Sequence, residues 1–523
     1  MESDLSEKKR LESSISVNSV GSPALHSVIS PSGKVVEIGD EAHLDQALAF
    51  VQNHGRIEVS KAEDNRVCRK VDLILMPLFC MLYMVQFMDK TVIGFTVIMG
   101  IKKDYHMVGE MYSWTNSGFY LGYVFGSPFS AFLLQKLPTV KFVSCIIILW
   151  GLIQCLHCVP KTYGAFMFLR TFLGFLESFI TPIFVIILNQ YYRYNEHFGR
   201  TGVFYGFNGL GTIFLSGVSY GLYKYKDSYS MEAYKILFLI VGLMTIVLGF
   251  IIALVVPNTP TEAKWLSDRE KQVIIERIRD NNQGFGNKKF KWDQFFEVFK
   301  DPRSYIYFLL SLSVAIPNGG VSGFGTLILK SFGYSNLESL LMKMPLGACE
   351  LVGLVALPFL SKFVQQRMIL ALFYMSVVVM SVCLLAFATT VDQNASLAGY
   401  YILGIAPVGI ILITSCVTSN TAGFTKKLVT NAITLIGYSA GNVIGPQTFR
   451  STDAPDYNKA KAGCVGCYCA TIVLMVILTI LNIRENKKRD KSKAEAGDAY
   501  VVPENLEFAD LTDFQNPEFR YRL

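Results

Sequence analysis

The stretch FMFLRTFLGFLESFITPIF, residues 166–184, sets an arginine and a glutamate inside an otherwise almost wholly apolar run. Arg170 and Glu177 are seven residues apart, so on an α-helix they lie on one face, about 10 Å apart along the axis. The run is long enough to cross the hydrocarbon layer of a bilayer, where a charged side chain is costly. The stretch therefore predicts a membrane helix in which the two charged side chains have a structural or functional role.

The composition of the whole chain favours a membrane protein. Of its 523 residues, 51% are hydrophobic and 17% are charged, whereas a soluble domain is about one-quarter charged. The charges concentrate near the two ends and between residues 257 and 303, with long apolar stretches between them. This profile argues against a soluble enzyme or a nucleic-acid-binding protein and predicts an all-α protein that crosses the bilayer many times.

About twelve segments have the length and apolar character of membrane helices, six on each side of a charged linker. We expect them at 71–101, 112–135, 140–159, 163–191, 201–223, 235–256, 304–329, 338–360, 367–390, 397–420, 429–449 and 463–483. The predicted units are a disordered tail (1–68), a six-helix bundle (69–256), a linker (257–303), a second bundle (304–484) and a tail (485–523). The linker holds one amphipathic helical stretch, which we expect to rest on the membrane surface or on the bundle.

The distribution of positive charge predicts the orientation. Lysines and arginines gather beside the first and last segments and in the linker, and these regions share one side of the membrane if the number of helices is even. Because basic flanks favour the cytoplasmic side, we expect both tails and the linker to be cytoplasmic.

Charged side chains inside the apolar segments mark the candidate site. Asp89 and Lys90 lie in the first segment, and counting residues along the helices places them at a depth similar to that of Arg170 and Glu177. Such charges nearly always face the bundle interior or a water-filled cavity. One interpretation is a set of buried ion pairs that only fixes helix packing. We favour a functional site, because buried ion pairs often add little net stability.

The second half of the chain offers mostly neutral polar groups. Glu350 in the eighth segment is either a second proton-binding site or a packing residue whose polar atoms are satisfied. Lys343, near the end of that segment, is expected to extend toward the membrane surface. Further candidate donors to a substrate come from both halves: Tyr120, Tyr123, Asn208, Asn318 and Asn442.

Three motifs resemble those of a known family. They are RTFLGFLESFITPIFVIILNQYYRYNE (170–196), NTAGFTKKLVTNAITLIGYSAGNVIGPQTF (420–449) and LTDFQNPEFRYRL (511–523). With the six-plus-six arrangement, they are similar to the anion:cation symporter group of the major facilitator superfamily. Within that group the chain looks like the fungal allantoate permease family, and within this family it looks most like the thiamine-pathway carboxylate transporters. The resemblance implies a major facilitator fold of two six-helix pseudo-repeats and proton-coupled uptake of a small organic anion, such as a vitamin-related carboxylate.

The same resemblance implies roles for the four charges of the first half. We expect Arg170 and Lys90 to bind the substrate carboxylate, and Asp89 and Glu177 to bind protons, with Glu350 as a further proton site. Protonation of Glu177 would release Arg170 to the substrate, and this difference in affinity would couple the two flows. No cofactor is expected besides the coupling proton, and the expected partners are the substrate and the lipid bilayer.

The chain departs from the family pattern beside Asp89. The family's commoner D-R-x-N-I-G-N reads D-K-T-V-I-G-F here, so Lys90 stands in place of an arginine. A lysine cannot make the planar two-bond contact of a guanidinium with a carboxylate, so the family's substrates cannot be carried over. The family's default location is the plasma membrane, with the endoplasmic reticulum as the alternative, and we expect a monomer.

Two other classes of function are alternatives to transport. A nutrient sensor on a transporter fold would bind its ligand without flux. An integral-membrane enzyme is disfavoured, because the sequence has no metal-binding, phosphate-loop or nucleophile motif in a suitable setting.

Overall fold

A computed structural model of the chain describes residues 27–29, 35–37, 59–279, 291–363, 366–388, 392–496, 511–516 and 518–522. Most of the tail predicted at 1–68 lies outside these residues. Two short strands near the N-terminus, β1 (Ser27–Ile29) and β2 (Val35–Glu37), pair antiparallel. All other regular structure in the described residues is helical.

The first half contains the helices α1 (Lys61–Thr91), α2 (Ile93–Met99), α3 (Ile101–Asp104), α4 (Met111–Lys136), α5 (Thr139–Leu156), α6 (Tyr163–Glu177), α7 (Ile180–Tyr191), α8 (Tyr194–Lys224) and α9 (Ala233–Val255). The linker contributes α10 (Asp268–Arg279) and α11 (Trp292–Lys300). The second half contains α12 (Pro302–Ser331), α13 (Asn336–Leu341), α14 (Met344–Phe363), α15 (Arg367–Phe387), α16 (Gln393–Ile402), α17 (Val408–Asn420), α18 (Phe424–Thr448) and α19 (Asn458–Ala496).

These helices reproduce the predicted pattern of membrane segments. Within the described residues, nine spans are long and apolar enough to cross a membrane. Each corresponds to a predicted segment, and the three remaining predicted segments are helical too, as α4, α8 and α18. Several predicted segments consist of two consecutive helices, for example α1 with α2 and α6 with α7. The all-α, six-plus-six architecture is therefore confirmed, with breaks inside individual segments.

Each half packs as a bundle, and the two bundles meet along helix pairs. In the first bundle α5 packs on α9 and α4 on α6, and in the second α12 packs on α18 and α15 on α19. Between the bundles, α8 packs on α14 and α4 on α18. Gly209 and Gly347 lie at the crossing of α8 and α14, where a Cβ atom on either glycine would collide with the carbonyl oxygen of the other. Such small residues let two membrane helices approach closely.

The linker helix α10 is attached to the first bundle. Val273 and Ile274 are almost fully buried, so the apolar stripe of this helix packs against the protein rather than the membrane surface. Its Arg277 is 2% exposed in the side chain and pairs with Asp64 at 3.2 Å and with Glu196 at 2.6 Å. We call this end of the molecule the linker side, and the opposite end the far side.

The C-terminal residues 511–522 are attached to the second bundle on the same linker side. Asp513 pairs with Lys426 at 2.8 Å, and both side chains are 1% exposed. Asn486 exchanges two hydrogen bonds with the backbone of Tyr521, at 2.8 and 2.9 Å, and Arg303 lies over the Tyr521 ring at 3.9 Å. These residues were predicted as part of a tail from 485 onward, but α19 continues to Ala496 and the described part of the tail folds back.

The start of the first bundle also differs from the predicted boundary at residue 69. α1 begins at Lys61, because Ser60 caps it by accepting a hydrogen bond from the backbone N–H of Glu63. The first turn of α1 also contains Glu63 and Asp64, the acidic residues that a helix N-terminus favours. The helix therefore extends by two turns beyond the apolar stretch that the sequence made visible.

Candidate functional site

The first membrane helix breaks beside two charged residues. α1 and α2 are separated at Val92, and a helix end leaves backbone carbonyl groups without intrahelical partners. Arg170 on α6 uses two of them: its Nη1 donates to the carbonyl oxygen of Asp89 at 2.9 Å, and its Nη2 donates to that of Lys90 at 2.8 Å. Arg170 is 1% exposed and lies over the Phe119 ring at 5.3 Å. The backbone carbonyl groups at the break in the first membrane helix thus hold the Arg170 side chain in place.

Glu177 contacts Lys90 rather than Arg170. The Lys90 Nζ lies 3.5 Å from the Glu177 Oε1. The prediction that Glu177 holds Arg170 differs from this geometry, because seven residues separate the two by about 10 Å along the helix and the guanidinium points to α1. Within the described residues, neither carboxylate oxygen of Glu177 has a hydrogen-bond partner. The pair is therefore loose, with the lysine side chain 20% exposed and the glutamate 1%.

The Asp89 side chain contacts α9 of the same bundle. It is fully buried, and its Oδ2 accepts a hydrogen bond from the Thr245 hydroxyl of α9 at 3.3 Å. Its Oδ1 has no partner within the described residues. Asp89 and Glu177 thus both have carboxylate oxygens without hydrogen-bond partners in the described residues. Each unpaired buried acceptor costs about 1–3 kcal/mol. We call Asp89, Lys90, Arg170 and Glu177 the central charge cluster.

The second bundle presents a pair of amides. The Asn318 side chain on α12 donates to the Asn442 Oδ1 on α18 at 3.0 Å, and the Asn442 amide donates to the Tyr438 carbonyl oxygen at 2.8 Å. Asn442 is fully buried, and α12 approaches it closely at Gly319, where a Cβ atom would collide with the Asn442 backbone. The amide pair is thus held by both of its helices.

The remaining predicted donors are buried in the first bundle. The Tyr123 hydroxyl is 2.9 Å from the Thr181 hydroxyl, and Tyr120 packs edge-on against Phe119. Asn208 on α8 has a buried Oδ1 without a partner in the described part of the chain. An unpaired acceptor of this kind is available to a ligand donor.

Glu350 and Lys343 form a second pair of interacting charges, and Glu350 is close enough to Lys90 of the central charge cluster to interact with it electrostatically. Glu350 is 3% exposed, and its Oε1 has no hydrogen-bond partner in the described part of the chain. Lys343 was expected to extend to the membrane surface, and this expectation was wrong, since the residue is 3% exposed. Its Nζ donates to the Ser322 carbonyl oxygen at 3.4 Å and lies 4.5 Å from the centre of the Phe95 ring. The contact between α2, α12 and the start of α14 encloses it.

The sequence pattern did not identify three further residues of this region. Gln86 is buried beside Glu177, three positions before Asp89 on α1. Tyr205 contacts Tyr83 with ring centroids 4.6 Å apart, and Tyr438 lies one turn before Asn442 on α18. Their helical spacing from the predicted site residues was the available signal, because positions three or four apart share a face.

Hydrogen bonds join the two bundles on the far side. The Tyr112 hydroxyl donates to the Gly323 carbonyl oxygen at 2.6 Å, and the Ser117 hydroxyl donates to that of Val443 at 2.7 Å. Glu110 accepts hydrogen bonds from the backbone N–H and the hydroxyl of Ser451, at 2.9 and 3.0 Å. The far side of the interface between the bundles is thus closed by polar contacts.

Comparisons with known proteins agree with this architecture. The family model described as Major Facilitator Superfamily matches residues 79–446. The chain is 42% identical to the allantoate permease of Saccharomyces cerevisiae over 513 residues, which cover 96% of this chain and 94% of that protein. It is 42% identical to an uncharacterized transporter of Schizosaccharomyces pombe, covering 93% and 96% of the two chains. The thiamine pathway transporter of S. cerevisiae is 31% identical, covering 91% of this chain and 93% of that protein.

Solved structures show the same fold at low sequence identity. A D-xylose-proton symporter matches with a TM-score of 0.60 and 12% identity, covering 77% of this chain and 97% of that chain. A bacterial homologue of the lysosomal transporter Spinster, in an inward-facing conformation, matches with a TM-score of 0.52 and 16% identity, covering 80% and 96%. The chain is therefore a multi-pass membrane transporter, and it belongs to the major facilitator superfamily and, within it, to the fungal allantoate permease family.

Proposed function

We propose that this transporter is a secondary active symporter that takes up a small organic anion together with protons. The observation that carries the proposal is the loose, buried contact between Lys90 and Glu177 beside the fixed Arg170. A transporter needs a cation that can change partner. Among the described residues, the Lys90 Nζ has one ion-pair partner, 3.5 Å away, and the lysine side chain is partly exposed.

In this proposal Lys90, rather than Arg170, is the cation that protonation of Glu177 releases to the substrate. The Arg170 Nη1 and Nη2 atoms are engaged by backbone carbonyl groups, while its Nε has no hydrogen-bond partner in the described part of the chain. Protonation of Glu177 would remove the charge that holds Lys90, which would then bind the substrate carboxylate, with Arg170 adding electrostatic attraction. The substrate binds better to the protonated state, and this difference in affinity couples the two flows.

The amide pair of the second bundle completes the proposed substrate site. Asn318 and Asn442 supply hydrogen-bond donors and acceptors opposite the central charge cluster. A site shared between two bundles is what alternating access by rocking requires. Asn208, with its unpaired Oδ1, is the candidate acceptor from the first bundle, and Tyr120 and Tyr123 are candidate donors.

The substrate class follows from this division of charges and amides. We propose a monocarboxylate that also carries a urea or amide group, because one end would meet Lys90 and the other the amides of the second bundle. The name of the 42% identical allantoate permease supports this class. The more distant thiamine pathway relative keeps a vitamin-related carboxylate as the alternative.

We further propose that the linker side faces the cytoplasm and that the protein works as a monomer in the plasma membrane. The support for the orientation is the basic flank of α1, which includes Arg66, Arg69 and Lys70. One proton per monoanion moves no net charge. A second proton, taken by Asp89 or Glu350, would add about 2.3 kcal/mol per 100 mV of membrane potential.

Proteoliposomes test the coupling. The wild-type protein is expected to concentrate allantoate when the compartment outside is acidic, and to exchange it between the two compartments without a gradient. Glu177→Gln cannot take up a proton, so it should retain exchange and lose accumulation. Glu485→Gln, a carboxylate on α19 outside the site, is the matched control and should behave as wild type. A Glu177→Gln protein that still concentrates substrate with the pH gradient would refute the coupling role.

A further inference from the structure

A basic pocket opens on the linker side, away from the transport site. Its volume is about 590 Å³, and its lining comes from α1 and from one residue of α10: Ala62, Asn65, Arg66, Arg69, Lys70, Leu73 and Glu270. Three of these residues are cationic and one is anionic. The volume lies within the range that suits a ligand the size of a lipid headgroup.

The cations of the pocket form one stripe along α1. Arg69 and Lys70 lie three and four residues after Arg66, and Leu73 lies four and three residues after them, so the four residues share a helix face. Lys70 is neutralised by Glu270, whose carboxylate lies 2.7 Å from its Nζ. Arg66 and Arg69 are exposed and form no ion pair with the described part of the chain. The pocket therefore offers two uncompensated guanidinium groups.

The same helix face continues into the membrane as an apolar track. Leu73 is 77% exposed, and Met81, two turns further along α1, is 45% exposed. Because this segment is a membrane helix, side chains exposed at these positions face lipid. A ligand in the pocket would thus have its charged end at the guanidinium groups and an apolar chain beside Leu73.

We propose that this pocket binds the headgroup of an anionic phospholipid through a phosphomonoester, with one acyl chain running along α1. Two guanidinium groups suit a phosphomonoester, because each can form two parallel hydrogen bonds with phosphate oxygens. The site lies in the cytoplasmic leaflet if the proposed orientation holds, but the binding itself does not depend on the transport mechanism.

Lipid titration of the full-length protein in detergent tests the proposal. Native mass spectrometry would follow the binding of dioctanoyl phosphatidic acid, with dioctanoyl phosphatidylcholine and inorganic phosphate as the comparison ligands. We expect phosphatidic acid to bind and the other two to bind at least about tenfold more weakly. Inorganic phosphate that binds as well as the lipid would overturn the lipid and leave a soluble phosphate compound as the occupant.

Two double variants separate a built site from general attraction. Arg66→Gln with Arg69→Gln removes both uncompensated cations from exposed positions and should weaken phosphatidic acid binding about 30-fold. Lys487→Gln with Lys488→Gln removes the same charge from exposed positions on α19, on the same side of the membrane, and should change binding less than about twofold. Equal losses in the two double variants would refute the pocket. Uptake of the transported substrate serves as the check that each variant is folded.

Discussion

Two of the charge clusters in the described part of the chain differ in how completely their charges are paired, one at the centre of the first bundle and one on the linker side of the second. On the linker side, the Lys426 Nζ lies 3.0 Å from Glu297, 3.0 Å from Asp301 and 2.8 Å from Asp513. At the centre, Lys90 has a single carboxylate partner at 3.5 Å, and both oxygens of that carboxylate lack hydrogen bonds within the described residues. The two lysines thus differ in how completely they are paired.

This difference separates charges that stabilise the fold from charges that can change partner during transport. A buried cation with several short contacts costs much to disrupt, because removing it strands the carboxylates around it. A partly exposed cation with one long contact, such as Lys90, can exchange that partner for another at small cost. Lys426 is therefore structural and Lys90 functional in our interpretation.

Lys426→Met should cause the largest change, in stability. The substitution leaves Glu297, Asp301 and Asp513 without their shared cation, which should lower the free energy of unfolding by about 3–5 kcal/mol. Thermal unfolding of the purified protein in detergent measures the loss. Uptake per folded molecule should stay within about twofold of wild type. Lys491→Met, at an exposed ion pair of α19, is the control. A Lys426→Met protein of normal stability and impaired uptake would reverse our comparison.

Arg170→Lys should impair uptake about 100-fold, because losing one partner of a buried, hydrogen-bonded charge costs about 2–5 kcal/mol. Lysine keeps the positive charge but lacks the planar guanidinium, whose two terminal nitrogens donate separately to the carbonyl groups of Asp89 and Lys90. Initial rates of uptake in proteoliposomes measure the effect. Arg193→Lys, which changes a side chain 40% exposed on the linker side, should be nearly silent. Normal uptake by Arg170→Lys would show that the charge alone suffices.

Asn318→Leu should raise the KM for uptake about tenfold, since it removes one hydrogen bond and leaves the Asn442 Oδ1 unpaired, at a cost of about 1–2 kcal/mol. The maximal rate should change little, because the central charge cluster is untouched. Asn336→Leu removes an amide outside the proposed site, one that donates to Tyr223 of the first bundle on the far side, and it should leave KM unchanged. An effect on the maximal rate without a change in KM would argue against contact of Asn318 with substrate.

The smallest expected effect concerns Glu110, whose protonation should weaken the closed state of the far side. Partial burial alone would raise the pKa of Glu110, but hydrogen bonds from Ser451 and Ser113 outweigh it and lower the pKa below its ordinary value of 4.5. The closed far side therefore gains stability that is fully present above pH 4.5 and is lost as the pH falls through the lowered pKa. The shift in the equilibrium should be about threefold, as expected for a mostly exposed group.

Electron-paramagnetic-resonance distances between spin labels at Lys103 and Lys459, in a cysteine-free background, measure that closure from pH 7.5 down to about 3, so that the range passes below the lowered pKa. These two exposed positions lie on different bundles of the far side. Glu110→Gln should abolish the pH dependence. Glu338→Gln, whose carboxylate caps α13 within one bundle, should preserve it. A wild-type protein without any change over this range would remove Glu110 from the closing contact.

Much of the architecture could be predicted from the sequence, because the bilayer imposes a length and an apolar character on every helix that crosses it. All twelve predicted segments are helical, and the four charges of the first half were visible as costly exceptions. The break in the first segment could not be foreseen, since Thr91 to Ile93 carries neither proline nor glycine. The docking of residues 511–522 depends on reciprocal contacts between distant parts of the chain, which no local pattern records.

The sequence by itself determined the class of fold and the identity of the charged residues, because hydropathy and helical period are properties of consecutive residues. Only the tertiary structure decided which charge faces which. Arg170 meets two carbonyl groups released by a helix break on another segment, Glu177 meets Lys90, and Lys343 is enclosed rather than extended. These contacts arise from the crossing of helices far apart in the chain, where small residues such as Gly209 and Gly347 set the approach.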